Sequence, residues 1–198
     1  MELINRIQAL LQDEKYHLQE FDKKIILFKG NLNVYPEDYI EIEKATAIDK
    51  FIVSEVHRDE KQFKIETEKE EASIYAVVMY KKLYDDIVDR MKARSIRNYV
   101  NSGEEEKALS CIKGWFNDSL YSIDTEDSLR ISLIQSGDKV NVKFGGKYLA
   151  ENASKARGYV VLYNYCEKLR NITLFCDEIH KKMNCNVNRE KIIKMYIL

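Results

Sequence analysis

The residues best suited to hold a metal ion lie near the end of the chain, at Cys176, His180 and Cys185. Cys176 and His180 are four residues apart, so they would share one face of a helix. A zinc site needs three or four ligands, and only Cys185 and Cys166 are available to complete this set. No second ligand pair has a recognisable spacing, and the sequence therefore predicts neither a metal site nor a cofactor.

Nucleophilic catalysis requires a serine, cysteine or threonine that is held beside a base. The chain has three histidines, and it contains no G-x-S-x-G elbow and no glycine motif of the GxxxxGK[ST] or GxGxxG type. His17 is expected in an amphipathic helix and His57 at a charged hairpin tip. Gly145 and Gly146 stand before an expected helix, where glycine suits a chain reversal better than an anion cradle. We therefore expect a protein without enzymatic activity.

The overall charge argues against a nucleic-acid or membrane partner. The formal net charge is −1, although RSIRNYV (94–100) and KARGYVVLYNY (155–165) combine basic and aromatic residues as nucleic-acid-binding segments do. Without net positive charge, nucleic acid is not expected as the partner. The chain shows neither a signal-peptide core nor an apolar run of the roughly 20 residues that span a bilayer. We expect a soluble, cytoplasmic protein.

The charge is unevenly distributed along the chain. Residues 36–71 carry 12 acidic and 6 basic residues, whereas residues 143–198 carry 5 acidic and 11 basic residues. Two interpretations are open: these are the solvated faces of ordinary elements, or the acidic region meets a basic partner.

Apolar spacing in the first third of the chain indicates a helix, a loop and then strands. The spacing of Ile4, Ile7 and Leu11 predicts a helix that continues to about Gly30, although KIILF (24–28) is also compatible with a strand. A loop is expected at 30–38 and a strand at 39–43. Alternation in FIVSEV and QFKIET, separated by a charged tip, predicts an antiparallel hairpin at about 51–67. An all-helical interpretation of residues 36–56 is the alternative.

Helices and one further hairpin are expected in the remainder. Helices are predicted from about residue 68 to 98–103, over 104–123 and over 147–183, followed by a short C-terminal helix or tail, and a hairpin is predicted at about 129–144. The predicted fold class is α+β, with long amphipathic helices packed on antiparallel hairpins. The alternative is a mostly α fold with one C-terminal hairpin. We expect one domain over 1–198, or one built from two sub-lobes at about 1–100 and 101–198.

Residues 40–91 resemble part of a bacterial immunity protein from a polymorphic toxin system. The resemblance rests on a strand of the type FIVSEVHRDE, a following strand that ends in a threonine such as Thr67, and a helix with a run such as ASIYAVV. With the first helix it covers about residues 1–95. It implies a non-catalytic protein that binds and neutralises a cognate toxin.

The acidic region would then be the toxin-binding surface, because nuclease toxins carry basic clefts. The candidate partner-binding residues combine aromatic anchors with carboxylates; they are Tyr35, Asp38, Tyr39, Glu41, Glu43, Glu55, Asp59 and Glu60. The alternative function is a small non-catalytic subunit of a larger bacterial, defence-type complex, with the long first and last helices as docking surfaces.

Overall fold

The computed structural model describes residues 2–12, 15–46, 49–85, 88–183 and 187–198. The described residues form six helices and nine strands in two sheets, which confirms the predicted α+β class. The chain divides into two compact units, Met1–Asp85 with Cys176–Tyr196 and Asp86–Phe175 with Ile197–Leu198. Within the described ranges, no helix combines the length and the apolar character needed to cross a membrane.

The first unit contains a five-stranded antiparallel sheet whose strands follow one another in chain order. After α1 (Glu2–Leu10), its strands are β1 (His17–Phe21), β2 (Lys24–Phe28), β3 (Asp38–Lys44), β4 (Lys50–His57) and β5 (Glu60–Glu68). Strands β4 and β5 confirm the predicted hairpin at about 51–67, and β3 confirms the strand predicted over 39–43. The all-helical interpretation of residues 36–56 is wrong.

The expectation of one helix up to Gly30 is also wrong. Helix α1 ends at Leu10, and KIILF forms strand β2, as its β-branched residues allowed. Pairing with β3 explains the strand, because Ile25 lies opposite Ile42 and the next three residues, 26–28, are buried in the sheet. His17 consequently lies on strand β1 and not on a helix.

Helix α2 (Lys69–Tyr84) is the centre of the first unit. Every residue from 72 to 80 is buried, and the helix packs on the sheet on one side and on α1 on another. A helix that is apolar all round is stable only inside a core. Strand β5 of the hairpin therefore continues directly into a core helix, without a connecting loop.

The helix predicted from residue 68 to about 98–103 is interrupted, and a new helix begins at Arg90. Helix α3 (Arg90–Asn101) starts with Asp89 as its cap, whose carboxylate accepts hydrogen bonds from the backbone N–H groups of Met91 and Lys92. Such a cap satisfies amide groups that have no partner inside a helix, so it favours a fresh start at this point.

The second unit contains a four-stranded sheet in the order β6-β7-β8-β9. After α3 the chain forms α4 (Glu105–Trp115), β6 (Tyr121–Ile123), β7 (Ile131–Ser136), β8 (Lys139–Phe144), β9 (Lys147–Ser154), α5 (Lys155–Met183) and α6 (Arg189–Ile197). Helix α5 belongs to the second unit only up to Phe175, and its last residues and α6 up to Tyr196 belong to the first unit. Strands β7 and β8 confirm the hairpin predicted at about 129–144. The helix predicted over 104–123 ends at Trp115, because its last residues form β6 parallel to β7.

The helix predicted over 147–183 begins eight residues later, because Lys147–Ser154 is a strand. Gly145 and Gly146 have φ values of 56° and 79°, and they form a tight turn between β8 and β9. The expected chain reversal is therefore present, but it joins two strands, and no helix N-terminus lies there to hold an anion.

Helix α5 and strand β8 approach each other closely at Gly158. A Cβ atom at this position would lie 2.0 Å from a methyl carbon of Val140, which is itself fully buried. Because a buried valine has little freedom to rotate, the glycine is needed for this contact.

We expect Gly158→Ala to lower the free energy of unfolding by about 1–3 kcal/mol through overpacking. The measurement is urea unfolding followed by fluorescence of Trp115, the single tryptophan, which lies in the second unit. Gly114→Ala is the matched control, since an added Cβ there meets no atom within 4 Å and should leave stability unchanged or raise it by up to about 1 kcal/mol. Equal stability of Gly158→Ala and the wild type would contradict the close approach.

Candidate protein-binding surface

The two faces of the five-stranded sheet differ in character. Residues that pair across antiparallel strands point to the same face, so Leu27 and Ile40, and likewise Ile42 and Val53, share the face that packs on α2. All four are buried. The opposite face, called the outer face below, carries alternate residues of β2, β3 and β4, namely Ile26, Phe28, Tyr39, Glu41, Glu43, Ser54 and Val56.

A small apolar cluster forms the base of the outer face. It consists of Ile26, Phe28, Tyr39 and Val56, all of which are buried. The ring of His17 on β1 lies 5.3 Å from that of Phe28. The apolar side chains of the outer face therefore pack against one another, and Tyr39 is held within this cluster.

Tyr39 links the loop before β3 to the tip of the β4–β5 hairpin. Its hydroxyl accepts a hydrogen bond from the Tyr35 hydroxyl at 3.2 Å and donates one to Asp59 Oδ1 at 3.1 Å. Burial, together with the bonds to Tyr35 and Asp59, raises the pKa of Tyr39 far above its ordinary value. Tyr39 is thus a neutral donor that holds the loop and the tip together.

The loop at 29–37 presents apolar side chains to solvent. Leu32, Val34 and Tyr35 are 54%, 62% and 57% exposed. The ring of Tyr35 meets that of Tyr39 edge-to-face, with centroids 5.7 Å apart. Tyr35 therefore combines an exposed face with a fixed position.

The hairpin tip is fastened to the start of β3 by polar contacts. His57 Nδ1 lies 2.6 Å from Asp38 Oδ1, and the Arg58 backbone N–H donates to the Glu37 carbonyl at 2.7 Å. Arg58 and Asp59 have φ values of 47° and 66°, as a two-residue type I′ turn requires, although neither is a glycine. Residues outside the usual backbone regions often lie at functional sites, where surrounding contacts hold them.

A buried carboxylate continues the outer face along β3. Glu41, whose side chain is 4% exposed, lies 2.8 Å from Lys24 Nζ and 2.8 Å from Lys61 Nζ, and Lys61 also lies 2.6 Å from Glu43. Burial alone would raise the pKa of Glu41, but the bonds from Lys24 and Lys61 outweigh it and hold the pKa below its ordinary value. Glu41 is therefore charged at neutral pH, and its ion pairs with Lys24 and Lys61 connect β3 to β2 and to β5.

The eight candidate residues do not all lie together. Tyr35, Tyr39 and Asp59 are joined by direct contacts, and Glu41 and Glu43 lie beside them along β3. Glu60 is exposed at the hairpin tip. By the strand register, Asp38 and Glu55 alternate toward the α2 side, although Asp38 reaches the tip through His57.

Basic residues neutralise much of the acidic charge that the sequence concentrates here. Sequence reasoning missed Lys24 and Lys61, which lie 17 and 20 positions from Glu41 and reach it only through strand pairing. It also missed Leu32 and Val34, whose exposure no pattern indicates. The surface is therefore less acidic and more apolar than the composition of residues 36–71 suggests.

The cysteine–histidine group near the end of the chain lies in the first unit. Cys176 and His180 line one pocket of about 480 Å³ with Asp177, Lys181, Val187 and Arg189, so they do share a face. Burial raises the pKa of Cys176 to about 11, which disfavours the thiolate that a metal needs. Cys185 lies outside the described residues, and the described ones contain no group of three or more potential ligands close enough to hold a metal.

Comparisons of the chain with protein-family models, with curated proteins and with solved structures gave no significant match. The resemblance to immunity proteins therefore stays a prediction.

We expect Glu41→Gln to lower the free energy of unfolding at pH 7 by about 1–3 kcal/mol, because it removes the counter-charge of Lys24 and leaves Lys61 with Glu43 alone. Since the folded pKa of Glu41 lies below its ordinary value of 4.5, the charged contribution is complete above about pH 4.5 and is lost as the pH falls through the folded pKa. The difference in the free energy of unfolding between wild type and variant should therefore become smaller as the pH is lowered through the folded pKa of Glu41.

The measurement is urea unfolding at several pH values, followed by circular dichroism. Glu66→Gln is the matched control, because Glu66 is 53% exposed and lies 3.7 Å from Lys50. Its effect should stay within about 0.5 kcal/mol. A Glu41→Gln variant as stable as the wild type at pH 7 would contradict the structural role of this carboxylate.

Proposed function

We propose that the protein is a non-catalytic immunity protein that binds and neutralises a cognate bacterial toxin through the loop at 29–37 and the adjoining tip of the β4–β5 hairpin, beside the outer face of the five-stranded sheet. The exposed and fixed position of Tyr35 is the observation that carries this proposal. The resemblance of residues 40–91 to immunity proteins gives the class of partner.

Tyr35 has the properties of an interface anchor. Aromatic residues at the centre of an interface contribute a large share of the binding energy. The contact and hydrogen bond with Tyr39 already restrict the Tyr35 side chain before any partner arrives, so less conformational entropy is lost on binding. Leu32 and Val34 add exposed apolar surface in the same loop.

Carboxylates around this anchor supply electrostatic attraction for a basic toxin. Among the described residues, Glu60 makes no ion pair, and the carboxylate of Asp59 contacts only the neutral Tyr39 hydroxyl. Their charge is therefore still available to a partner, unlike that of Glu41. Charges at the rim mainly increase the rate of association, whereas the aromatic centre slows dissociation.

The alternative, a subunit of a larger complex, requires apolar faces on the first and last helices. Helix α1 instead buries Leu3, Ile7 and Leu10, and α5, the last long helix, buries Leu162, Cys166 and Leu169. These helices use their apolar residues inside the fold, so they offer no support for the alternative.

We expect Tyr35→Ala to weaken toxin binding at least 30-fold, which corresponds to about 2 kcal/mol. Tagged protein captures its partners from the native host, and each captured protein is then expressed alone and together with this chain. The toxin should arrest growth alone and be neutralised on co-expression. Calorimetry then compares the affinities of wild type and variant.

Tyr148→Ala is the matched control, since Tyr148 is exposed on the second unit, and it should bind normally. The proposed function fails if no captured protein arrests growth. The proposed surface fails if the toxin binds Tyr35→Ala as tightly as the wild type.

A further inference from the structure

Strand β1 differs from the other strands that lie at the edges of the two described sheets. Strand β6 is three residues long, the pairing of β9 with β8 has two register shifts, and β5 carries charged residues and has a register shift in its pairing with β4. Short length, bulges and charge each hinder the addition of another strand. Strand β1 pairs with β2 in an unbroken register, and it contains one carboxylate, Glu20, and no lysine, arginine or proline. It is therefore the least protected of these edges.

The backbone groups of Leu18 and Glu20 point away from β2. Strands β1 and β2 are joined by a two-residue turn, so the closing pair of Phe21 and Lys24 exchanges both of its backbone hydrogen bonds. Such pairs alternate along an antiparallel ladder, so the pairs two and four residues earlier are of the same kind. The N–H and C=O groups of Leu18 and Glu20 are left on the open side, where no hydrogen bond joins them to any residue that the structure describes.

The side chains of β1 leave this edge accessible. Glu20 and Phe21 are exposed, and the other three residues of the strand are half-buried. Phe21 is 45% exposed although it is aromatic. An open edge of this kind is a template on which a further strand can add by backbone hydrogen bonding.

We propose that two copies of this chain pair through β1, antiparallel to each other, about a two-fold axis at Gln19. In this register Leu18 lies opposite Glu20 of the second copy, and the same pair is repeated on the other side of the axis. The outward N–H and C=O groups of both residues then form four hydrogen bonds between the copies. All five residues of β1 are paired, and the two five-stranded sheets join into one.

The sequence of β1 is self-complementary in this register and not in the two neighbouring ones that also pair outward groups. A two-fold axis at Glu20 places two carboxylates directly opposite each other, which is destabilising. An axis at Leu18 pairs only residues 17–19 of the strand and leaves Phe21 outside the ladder. The axis at Gln19 separates the two carboxylates along the strands and keeps every residue of β1 in the ladder. This self-complementarity favours a second copy as the occupant of the edge.

The same register gives the exposed Phe21 an aromatic neighbour. Phe21 lies opposite His17 of the second copy, and both side chains belong to the outer face, because Phe28, which pairs with His17, lies there. The ring of His17 already packs 5.3 Å from the ring of Phe28. Cross-strand aromatic pairs stabilise antiparallel sheets, so pairing of the copies covers apolar surface as well as backbone groups.

The small size of this contact makes the association weak. A standard interface uses about 20–30 residues from each partner, whereas β1 contributes five from each copy. We therefore expect a reversible dimer with a dissociation constant on the order of 100 µM.

Sedimentation velocity of the full chain, at concentrations from about 10 µM to about 1 mM, measures this equilibrium. The wild type should shift from monomer to dimer across this range. Glu20→Pro removes an outward N–H group and should weaken association at least tenfold, since proline is tolerated where an edge N–H faces solvent. Glu20→Ala is the matched control: it keeps the N–H group and should associate at least as well as the wild type. Circular dichroism checks that each variant is folded.

A disulfide test of the register does not depend on the proline variant. Residues on the axis form a pair without hydrogen bonds, whose Cα atoms are about 4.5 Å apart, within the range that a disulfide bridges. Gln19→Cys should therefore cross-link two copies under mild oxidation. Phe21→Cys is the matched control, since residues at position 21 of the two copies lie roughly 14 Å apart in this register, too far for a disulfide. The wild type gives the background from the native cysteines.

The proposal is overturned if the wild type stays monomeric at the highest concentration, if folded Glu20→Pro associates as tightly as the wild type, or if Gln19→Cys cross-links no more than Phe21→Cys. A monomeric wild type whose captured toxin binds Glu20→Pro more weakly would assign the edge to another protein instead of a second copy. The experiments use this chain alone, so their outcome is independent of the proposed toxin binding.

Discussion

The burial of α2 on all its sides is the constraint on which the first unit depends. A helix without a polar face must be enclosed, and here the sheet and α1 enclose it. Enclosure fixes which face of β3 and β4 is apolar, and a shift of one residue in either strand would reverse every side chain. Tyr84, at the end of α2, also donates a hydrogen bond to the Asp38 carbonyl at the start of β3. The position of the outer face is thus a consequence of how the core is packed.

The outer face and helix α3 show that net charge is a poor guide to local electrostatics. Around Glu41 and Glu43, acidic residues are numerous in sequence, but Lys24 and Lys61 neutralise them in space. Along α3 the opposite occurs, because cations gather on one helix while the chain as a whole is nearly neutral. At physiological salt the field of an exposed charge is screened over about 8 Å, so a partner responds to the sum of the nearby charges and not to the net charge of the chain.

Alternation made the hairpins β4–β5 and β7–β8 predictable, because one buried and one solvated face leave a clear pattern. Strands β1 and β9 lack this pattern, since β1 has no fully buried residue and only Ala150 and Ala153 of β9 are buried. The break before α3 depends on one capping carboxylate, Asp89, which apolar periodicity does not register. Of the candidate surface, the aromatic and acidic residues of β3 and the tip were predictable from composition. Lys24 and Lys61 were not, because they reach Glu41 only through the register of the paired strands.

Strand β5 forms one edge of the five-stranded sheet, and most of its side chains are exposed. Five of its nine residues are charged, including Lys61, Lys64 and Glu66. Charged side chains on an open edge prevent another chain from adding a strand by backbone hydrogen bonding, which is a common route to aggregation. The protein can therefore expose apolar residues in the loop before β3 while the β5 edge of its sheet resists self-association.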